Sequence, residues 1–180
     1  MFSTDALGEI LTRVTIWIAI IAYVAGVVIF ALSGRGGRWD SLTRLVWTTG
    51  CAGLLAHVVC ALHFYHGWNQ ESAYQETARQ TEAVVGLNWG GGLFINYFVL
   101  LAWVIDVSLW WAKGVDSYRR RSLLALASWH GFLLFIIFNA TVVFKTGVVR
   151  WIGVAVSAVI CLGWLLMLRR HLTKYGNPAY

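Results

Sequence analysis

Residues Leu45–His66 read LVWTTGCAGLLAHVVCALHFYH, an apolar block that contains no Asp, Glu, Lys or Arg. A transmembrane helix needs about 20 apolar residues, so this block is long enough to cross a bilayer. Its second half carries His57, Cys60, His63 and His66 at every third position. Histidine and cysteine bind metals and haem iron, and ionisable side chains are rare and mostly functional inside membranes. The block therefore predicts the fold class and the first place to look for a site.

The rest of the chain has the same apolar character. Of its 180 residues, 59% are hydrophobic and 12% are charged, whereas an ordinary soluble domain has about 25% charged residues. We predict an all-α integral membrane bundle that forms one domain over residues 1–180, with spans at about 14–33, 45–66, 89–112, 122–144 and 147–168. A tight connection at Lys145–Thr146 separates the last two spans, because one helix over both would be too long for a bilayer.

The first span has an alternative interpretation as a secretory signal peptide, because the sequence ALS at 31–33 resembles a cleavage site. The residues before it include Asp5, Glu9 and a single basic residue, Arg13. A signal peptide begins with net positive charge and has a shorter apolar core. We therefore expect this span to be a retained helix.

The distribution of basic residues predicts the orientation. If the loop after the first span is inside, ten of the 14 Lys and Arg residues are inside and four are outside. The inside set is Arg35, Arg38, Arg44, Lys113, Arg119, Arg120, Arg121, Arg169, Arg170 and Lys174, and the outside set is Arg13, Arg79, Lys145 and Arg150. Under the positive-inside rule, we expect a bacterial inner-membrane protein with its N-terminus outside and its C-terminus in the cytoplasm.

The longest loop, residues 67–88, then lies outside. The sequence SAYQ at 72–75 resembles a capping box, and residues 73–85 contain few helix breakers before Gly86. We predict a short helix at the outer surface. Glu71, Glu76 and Glu82 make it acidic, and a solvated face is the simplest interpretation of that charge.

The outer end of the second span is the candidate metal site. His63 and His66 are three residues apart, so both can reach one ligand from the same face of a helix. Cys60 lies one turn deeper, and Glu71 and Glu76 follow in the outer loop. Imidazole, thiolate and carboxylate are ligands of copper and zinc. The alternative is that the two histidines only meet water and lipid headgroups.

A second polar group is predicted nearer the inner side. With about 1.5 Å of rise per residue, Asp106 in the third span and His130 in the fourth lie at similar depths. We expect them to form an intramembrane polar pair. The alternatives for this pair are a link between helices, a proton relay and a quinone contact.

Haem b is the other candidate cofactor. His57 and His130 lie on different helices and would be its two axial ligands, although their depths do not match cleanly. The sequence contains no CxxCH, which argues against covalently attached haem. The alternative for His57 is a buried histidine that bonds to a neighbouring backbone or hydroxyl group.

Other classes of function are disfavoured. The basic residues fall in short clusters between apolar blocks, which is typical of membrane topology signals and not of a nucleic-acid interface. We find no HExxH, no P-loop and no Ser/His/Asp order, so no catalytic residue is assigned and an independent enzyme is not expected.

Two stretches, HVVCALHFYHGWNQESAYQETARQTEAVVGLNWGGG and FNATVVFKTGVVRWIG, resemble segments of an uncharacterised family of small multi-pass bacterial membrane proteins. The resemblance implies a multi-pass membrane protein and no activity, cofactor or residue role. From the residues we expect an accessory or cofactor-holding subunit of a larger redox-linked membrane assembly, with the bilayer and other membrane subunits as partners. The alternative is a purely structural or partner-binding membrane protein without a cofactor.

Overall fold

The computed structural model describes residues 4–32, 38–119 and 121–175, which form helices joined by short connections, with no strand among them. Its six helices are α1 Thr4–Leu32, α2 Arg38–His66, α3 Gln70–Val85, α4 Gly92–Arg119, α5 Leu123–Phe138 and α6 Gly147–Tyr175. A π-helical turn, Asn139–Val143, extends α5 toward α6. Ser33, Arg35 and Arg120, which entered the predictions above, lie outside the described residues.

Five stretches of the described chain are long and apolar enough to cross a membrane, which confirms the predicted number of apolar helices. They cover residues 6–32, 39–66, 92–114, 124–143 and 147–169. The fourth reaches this length only because the π-helical turn continues α5. Residues 145–146 are not helical and separate it from the fifth, as the sequence predicts.

Several helix boundaries differ from the prediction, and most of the helices are longer than predicted. The first helix begins well before residue 14, and an ion pair of 2.5 Å between Arg13 and Glu9, one turn apart, supports its early turns. The third span begins at Gly92 and not at Trp89, because residues 87–90 are not helical. Near the C-terminal end of α4, Gly114 has φ 74° and ψ 165°, so the chain leaves the helical path there.

The short helix α3 is present in the loop between α2 and α4, but its N-terminal cap differs from the predicted one. Asn69, and not Ser72, is the N-cap: its side chain accepts the backbone N–H of Ser72 at 3.1 Å. Helix α3 therefore begins at Gln70, three residues before the predicted start. It ends where predicted, because Gly86 adopts a left-handed conformation (φ 73°) and donates its N–H to the carbonyl of Glu82.

Helix α1 is the most enclosed of the five apolar helices. Of its most apolar window, 39% is buried, against 17–22% for the other four. Helix α2 packs along α1, and Gly53 allows this approach: a Cβ there would lie 3.0 Å from the backbone nitrogen of Ala19. Helix α6 covers another side of α1, where a Cβ at Gly163 would lie 2.8 Å from a methyl carbon of Val27.

Aromatic rings fill the centre of the bundle. We call this group the aromatic core, and its members, contributed by all five apolar helices, are Tyr23, Trp47, Trp103, Trp110, His130 and Trp164. Trp47 is its centre. The indole of Trp47 stacks on Trp110 with ring centroids 5.4 Å apart, and its other ring neighbours include Tyr23, Trp103 and His130.

Candidate functional site

Asp106 is a buried carboxylate on α4, and both of its oxygens have partners. Oδ2 accepts a hydrogen bond of 2.9 Å from the indole Nε1–H of Trp47 on α2. Oδ1 forms an ion pair of 2.5 Å with Arg121, which precedes α5. The side chain of Arg121 is 29% exposed and that of Asp106 is 7% exposed, so the pair lies at the margin of the buried core. An unpaired carboxylate would be costly there, and these contacts offset that cost.

His130 is buried on α5, with 5% of its surface exposed. Its Nδ1 lies 3.1 Å from the hydroxyl oxygen of Tyr23 on α1. The imidazole packs edge-on against Trp164, with ring centroids 4.8 Å apart, and it also faces Trp47. Aromatic packing on several sides therefore fixes the position of the ring.

The structure places the two members of the predicted polar pair in one cluster around Trp47. Asp106 bonds to the indole nitrogen of Trp47, and the imidazole of His130 lies 5.6 Å from the Trp47 ring between centroids. Each also has a partner that was not predicted, Arg121 for Asp106 and Tyr23 for His130. Asp106 and His130 are therefore linked through Trp47, which contacts both.

The histidines of α2 are placed against different parts of the chain. His57 donates from Nδ1 to the backbone carbonyl of Thr12 on α1 at 2.9 Å. The Nδ1 of His63 accepts the indole N–H of Trp68 at 3.3 Å, and the edge of its ring faces Phe64. His66 Nδ1 lies 3.3 Å from the hydroxyl of Ser72 on α3. Each of the three rings therefore has a hydrogen-bond partner within the protein.

Among the other predicted metal ligands, Glu71 and Glu76 bond to separate partners. Cys60 is a free, half-buried thiol. Glu71 accepts a hydrogen bond of 2.6 Å from Gln75, while Glu76 accepts one of 2.9 Å from Gln80 and pairs with Arg79. The hydrogen bond from Gln80, which has the largest effect, and the contact with Arg79 lower the pKa of the Glu76 carboxyl.

Within residues 4–32, 38–119 and 121–175, no three His, Cys, Asp or Glu side chains are arranged to hold a metal ion. His63, His66, Cys60, Glu71 and Glu76 are therefore not gathered at one centre. The closest approach to the prediction is the contact of His66 with Ser72, which lies one turn before Glu76 on α3. The carboxylates do not join the histidines because Glu71 and Glu76 accept hydrogen bonds from side chains of their own helix.

The residues proposed as haem ligands lie at different depths. His57 bonds to Thr12 and His130 to Tyr23, and these two partners are eleven residues apart on α1, which corresponds to about 16 Å along a helix. The cavity beside His130 is about 10 Å³, and Trp47, Trp110 and Phe30 are among its walls. Pockets for organic ligands measure about 300–1,000 Å³. This arrangement does not fit haem between His57 and His130, and the cavity has the scale of a single water.

The sequence pointed to Asp106 and His130 but not to the residues that hold them. Tyr23 carries the only polar atom of a side chain along IAIIAYVAGVVIFAL, and that isolation was a usable signal. Trp47 is 2% exposed, and nothing in the sequence separates it from the other tryptophans of the chain. Arg121 was counted only as a topology signal. No pattern in the sequence predicts that Tyr23, Trp47 and Arg121 come together in the fold.

Comparison with known proteins finds no matching family model, no matching curated protein and no matching solved structure.

Proposed function

We propose that this chain is an integral protein of the bacterial inner membrane, with its N-terminus outside and its C-terminus in the cytoplasm. The observation that carries the proposal is that each apolar helix turns large apolar side chains outward. Examples, one from each helix, are Ile21 (62% exposed), Leu55 (48%), Leu101 (59%), Phe135 (59%) and Leu162 (58%). Apolar surface on all sides of a helical bundle is suited to lipid and not to water.

Within the membrane, we propose the role of an accessory subunit in a larger, redox-linked assembly. The outward faces of α4, α5 and α6 provide broad apolar surface against which other transmembrane helices can pack. The aromatic core supports the redox class, since indole and phenol rings in contact are the side chains most readily oxidised by one electron. A hydrogen bond between the Tyr23 hydroxyl and His130 gives the phenol a nearby proton acceptor.

The cofactor-holding part of this proposal rests on the outer end of α2. His63 is exposed there, and His66 is half-buried. Two imidazoles do not complete a metal site, so a cofactor at this position would take its remaining ligands from a partner subunit. The site would then exist only in the assembly.

A specific observation favours the second candidate, a structural or partner-binding membrane protein without a cofactor. His57, His63, His66 and His130 each have a hydrogen-bond partner within the chain. Each of these bonds uses Nδ1 and ties the ring to another residue of the chain, so the four histidines can serve the packing of the bundle without any ligand.

Purification in a mild detergent separates the two candidates. For the first, the chain should co-purify with other membrane subunits, and the complex should show a Soret band or about one equivalent of copper, zinc or iron. His63→Ala should then remove that signal, whereas His57→Ala should leave it. A complex without colour and without metal would reject the cofactor and support the second candidate. A chain that runs alone as a monomer would reject the subunit role.

Labelling in cells tests the orientation. Gln75→Cys, on α3, should react with a membrane-impermeant maleimide in spheroplasts, and Lys113→Cys, near the inner end of α4, should react only after lysis. The background carries alanine in place of Cys51, Cys60 and Cys161. The reverse pattern would overturn the orientation, and labelling of both positions in intact spheroplasts would overturn the membrane-spanning arrangement.

A further inference from the structure

Helix α3 has one face toward the bundle and one toward solvent. On the bundle side, Ala73 is 2% and Ala78 is 1% exposed. The ring of Tyr74 on the same side lies 6.1 Å from that of Phe94 on α4, between centroids. The opposite side carries Gln75 and Arg79, both exposed. The helix therefore lies with its small and apolar residues facing the outer end of the bundle.

The last turn of α3 continues this apolar face beyond the part that the bundle covers. Val84 follows Ala73 by three full turns, and Val85 follows Ala78 by about two, so each valine points the same way as its alanine. Yet Val84 is 43% exposed and Val85 is 59% exposed. The end of α3 thus extends past its support, and its inward face has no described part of the chain beneath it.

The turn that follows holds two more apolar side chains outward. Leu87 is 57% exposed and Trp89 is 45% exposed. The turn is well fixed, because Glu82 accepts hydrogen bonds from the backbone of Gly86 at 2.9 Å and from the side chain of Asn88 at 2.7 Å. We call the four residues Val84, Val85, Leu87 and Trp89 the apolar overhang.

The apolar overhang is continuous with the outward surface of α4. The Trp89 ring lies over Gly91, where a Cβ would come within 1.9 Å of it, so the indole rests on the first turn of α4. From there a stripe of exposed apolar residues runs along that helix: Phe94, Phe98, Leu101 and Ile105, all between 53% and 61% exposed. Their spacing of four, three and four residues places them on one face.

We propose that the apolar overhang inserts into the headgroup and upper acyl region of the outer lipid leaflet and fixes α3 to the membrane surface. This inference rests on the proposed membrane-spanning arrangement, in which the stripe on α4 faces lipid. The overhang extends that stripe to the level where tryptophan is preferred in membranes. The polar side of α3, with Gln75 and Arg79, then faces water, as in helices that lie in the membrane interface.

The test uses an environment-sensitive fluorophore on single cysteines in a background where Cys51, Cys60 and Cys161 are alanine. The variants are Val85→Cys and Leu87→Cys in the apolar overhang, Gln75→Cys on the polar side of α3, and Ile105→Cys in the stripe of α4. Each protein is reconstituted into vesicles of phosphatidylethanolamine and phosphatidylglycerol. Nitroxide-labelled lipids then quench probes in the membrane, and iodide quenches probes in water.

We expect nitroxide lipids labelled near the headgroup to quench the probes at 85 and 87 several-fold more than the probe at 75, with the reverse order for iodide. If iodide reaches 85 and 87 as readily as 75, the proposal is overturned. If neither quencher reaches them, protein covers the overhang and the lipid proposal is also overturned. The probe at 105 separates the two levels: if lipids labelled at mid-chain do not quench it, the membrane-spanning arrangement itself fails.

Discussion

Trp47 Nε1 lies 2.9 Å from Asp106 Oδ2, and this buried hydrogen bond joins α2 to α4. The same indole ring stacks on Trp110 and faces His130. Trp47 therefore connects the ion pair of Asp106 and Arg121 to the other rings of the aromatic core. Its substitution should separate the contribution of packing from that of hydrogen bonding.

Trp47→Phe keeps an aromatic ring but removes the donor to Asp106. We expect it to lower the free energy of unfolding by about 1–3 kcal/mol, because a buried acceptor loses its partner and the smaller ring leaves space. Unfolding in mixed micelles of mild detergent and sodium dodecyl sulfate measures the change. Trp39→Phe is the control, since Trp39 is 51% exposed and should cost much less. Equal effects of the two substitutions would contradict a special role for Trp47.

Asp106 and Arg121 should be energetically coupled. Asp106→Asn and Arg121→Gln each leave one charge of a largely buried pair without its counterpart, which costs up to about 3–5 kcal/mol in a fully buried site. The partial exposure of Arg121 should reduce this cost. The double variant should be more stable than the sum of the two single losses predicts.

The control for this cycle is the exposed pair of Glu9 and Arg13, whose side chains are 50% and 74% exposed. Glu9→Gln and Arg13→Gln should show coupling of only about 0.3–0.5 kcal/mol. If the cycle at Asp106 and Arg121 gave a value this small, the ion pair would not stabilise the bundle.

Gly153→Ala should destabilise the contact between α6 and the π-helical turn. A Cβ at position 153 would lie 2.3 Å from the Thr141 hydroxyl oxygen and 3.0 Å from the Thr141 backbone carbon. Overpacking of this kind costs about 1–3 kcal/mol. Gly131→Ala on α5 is the matched control, since nothing lies within 4 Å of its Cβ position and alanine is the better helix former.

Thermal unfolding in detergent should therefore show a lower Tm for Gly153→Ala and an equal or higher Tm for Gly131→Ala. Adding Thr141→Ala to Gly153→Ala should recover part of the loss, because it removes the nearest of the clashing atoms. If Gly153→Ala left Tm unchanged, the close approach of α6 and the π-helical turn would be disproved.

The stability of α3 should depend on acidic pH through Glu76. Its contacts with Gln80 and Arg79 lower the pKa of this carboxyl below its ordinary value of 4.5. A lowered pKa in the folded state adds stability above the ordinary value, and this addition is lost as pH falls through the folded-state value. Because the side chain is 39% exposed, solvent screening keeps the effect small, at about 0.3–0.5 kcal/mol.

Hydrogen exchange of the α3 amides, measured between pH 3 and pH 6 and corrected for intrinsic rates, should show protection falling as Glu76 is protonated. Glu76→Gln should reduce protection at pH 6 and flatten the pH dependence. Glu71→Gln is the comparison, because Glu71 bonds only to the neutral side chain of Gln75 among its described contacts. A pH dependence that survives in Glu76→Gln would assign the effect to another group.

The helices could be predicted from the sequence because long apolar runs specify membrane-length helices without reference to tertiary contacts. The end of α3 at Gly86 was equally local, since a left-handed residue is needed there. Its start was missed because Asn69 and Ser72 both have side chains that can cap a helix. Only the folded geometry shows which oxygen accepts.

The candidate site was less predictable because its contacts join distant parts of the chain. Spacing along α2 suggested that His63 and His66 share a ligand, but in the fold their Nδ1 atoms contact two different residues, Trp68 and Ser72. Matching depths placed Asp106 near His130. They could not show that Trp47 would contact both, since depth says nothing about the direction in which a side chain points around its helix.

The central position of α1 has a consequence for the order of assembly. Residues are made from the N-terminus onward, so α1 leaves the ribosome before α6. Yet α6 covers part of α1: Gly163 of α6 lies against Val27 of α1, and Ile160, also on α6, is 0% exposed. Part of the surface of α1 therefore stays uncovered until α6 has been made. A nascent chain that stops before α6 would leave the surface of α1 around Val27 exposed. Quality-control proteases that recognise exposed helix surfaces would then distinguish chains without α6 from chains with it.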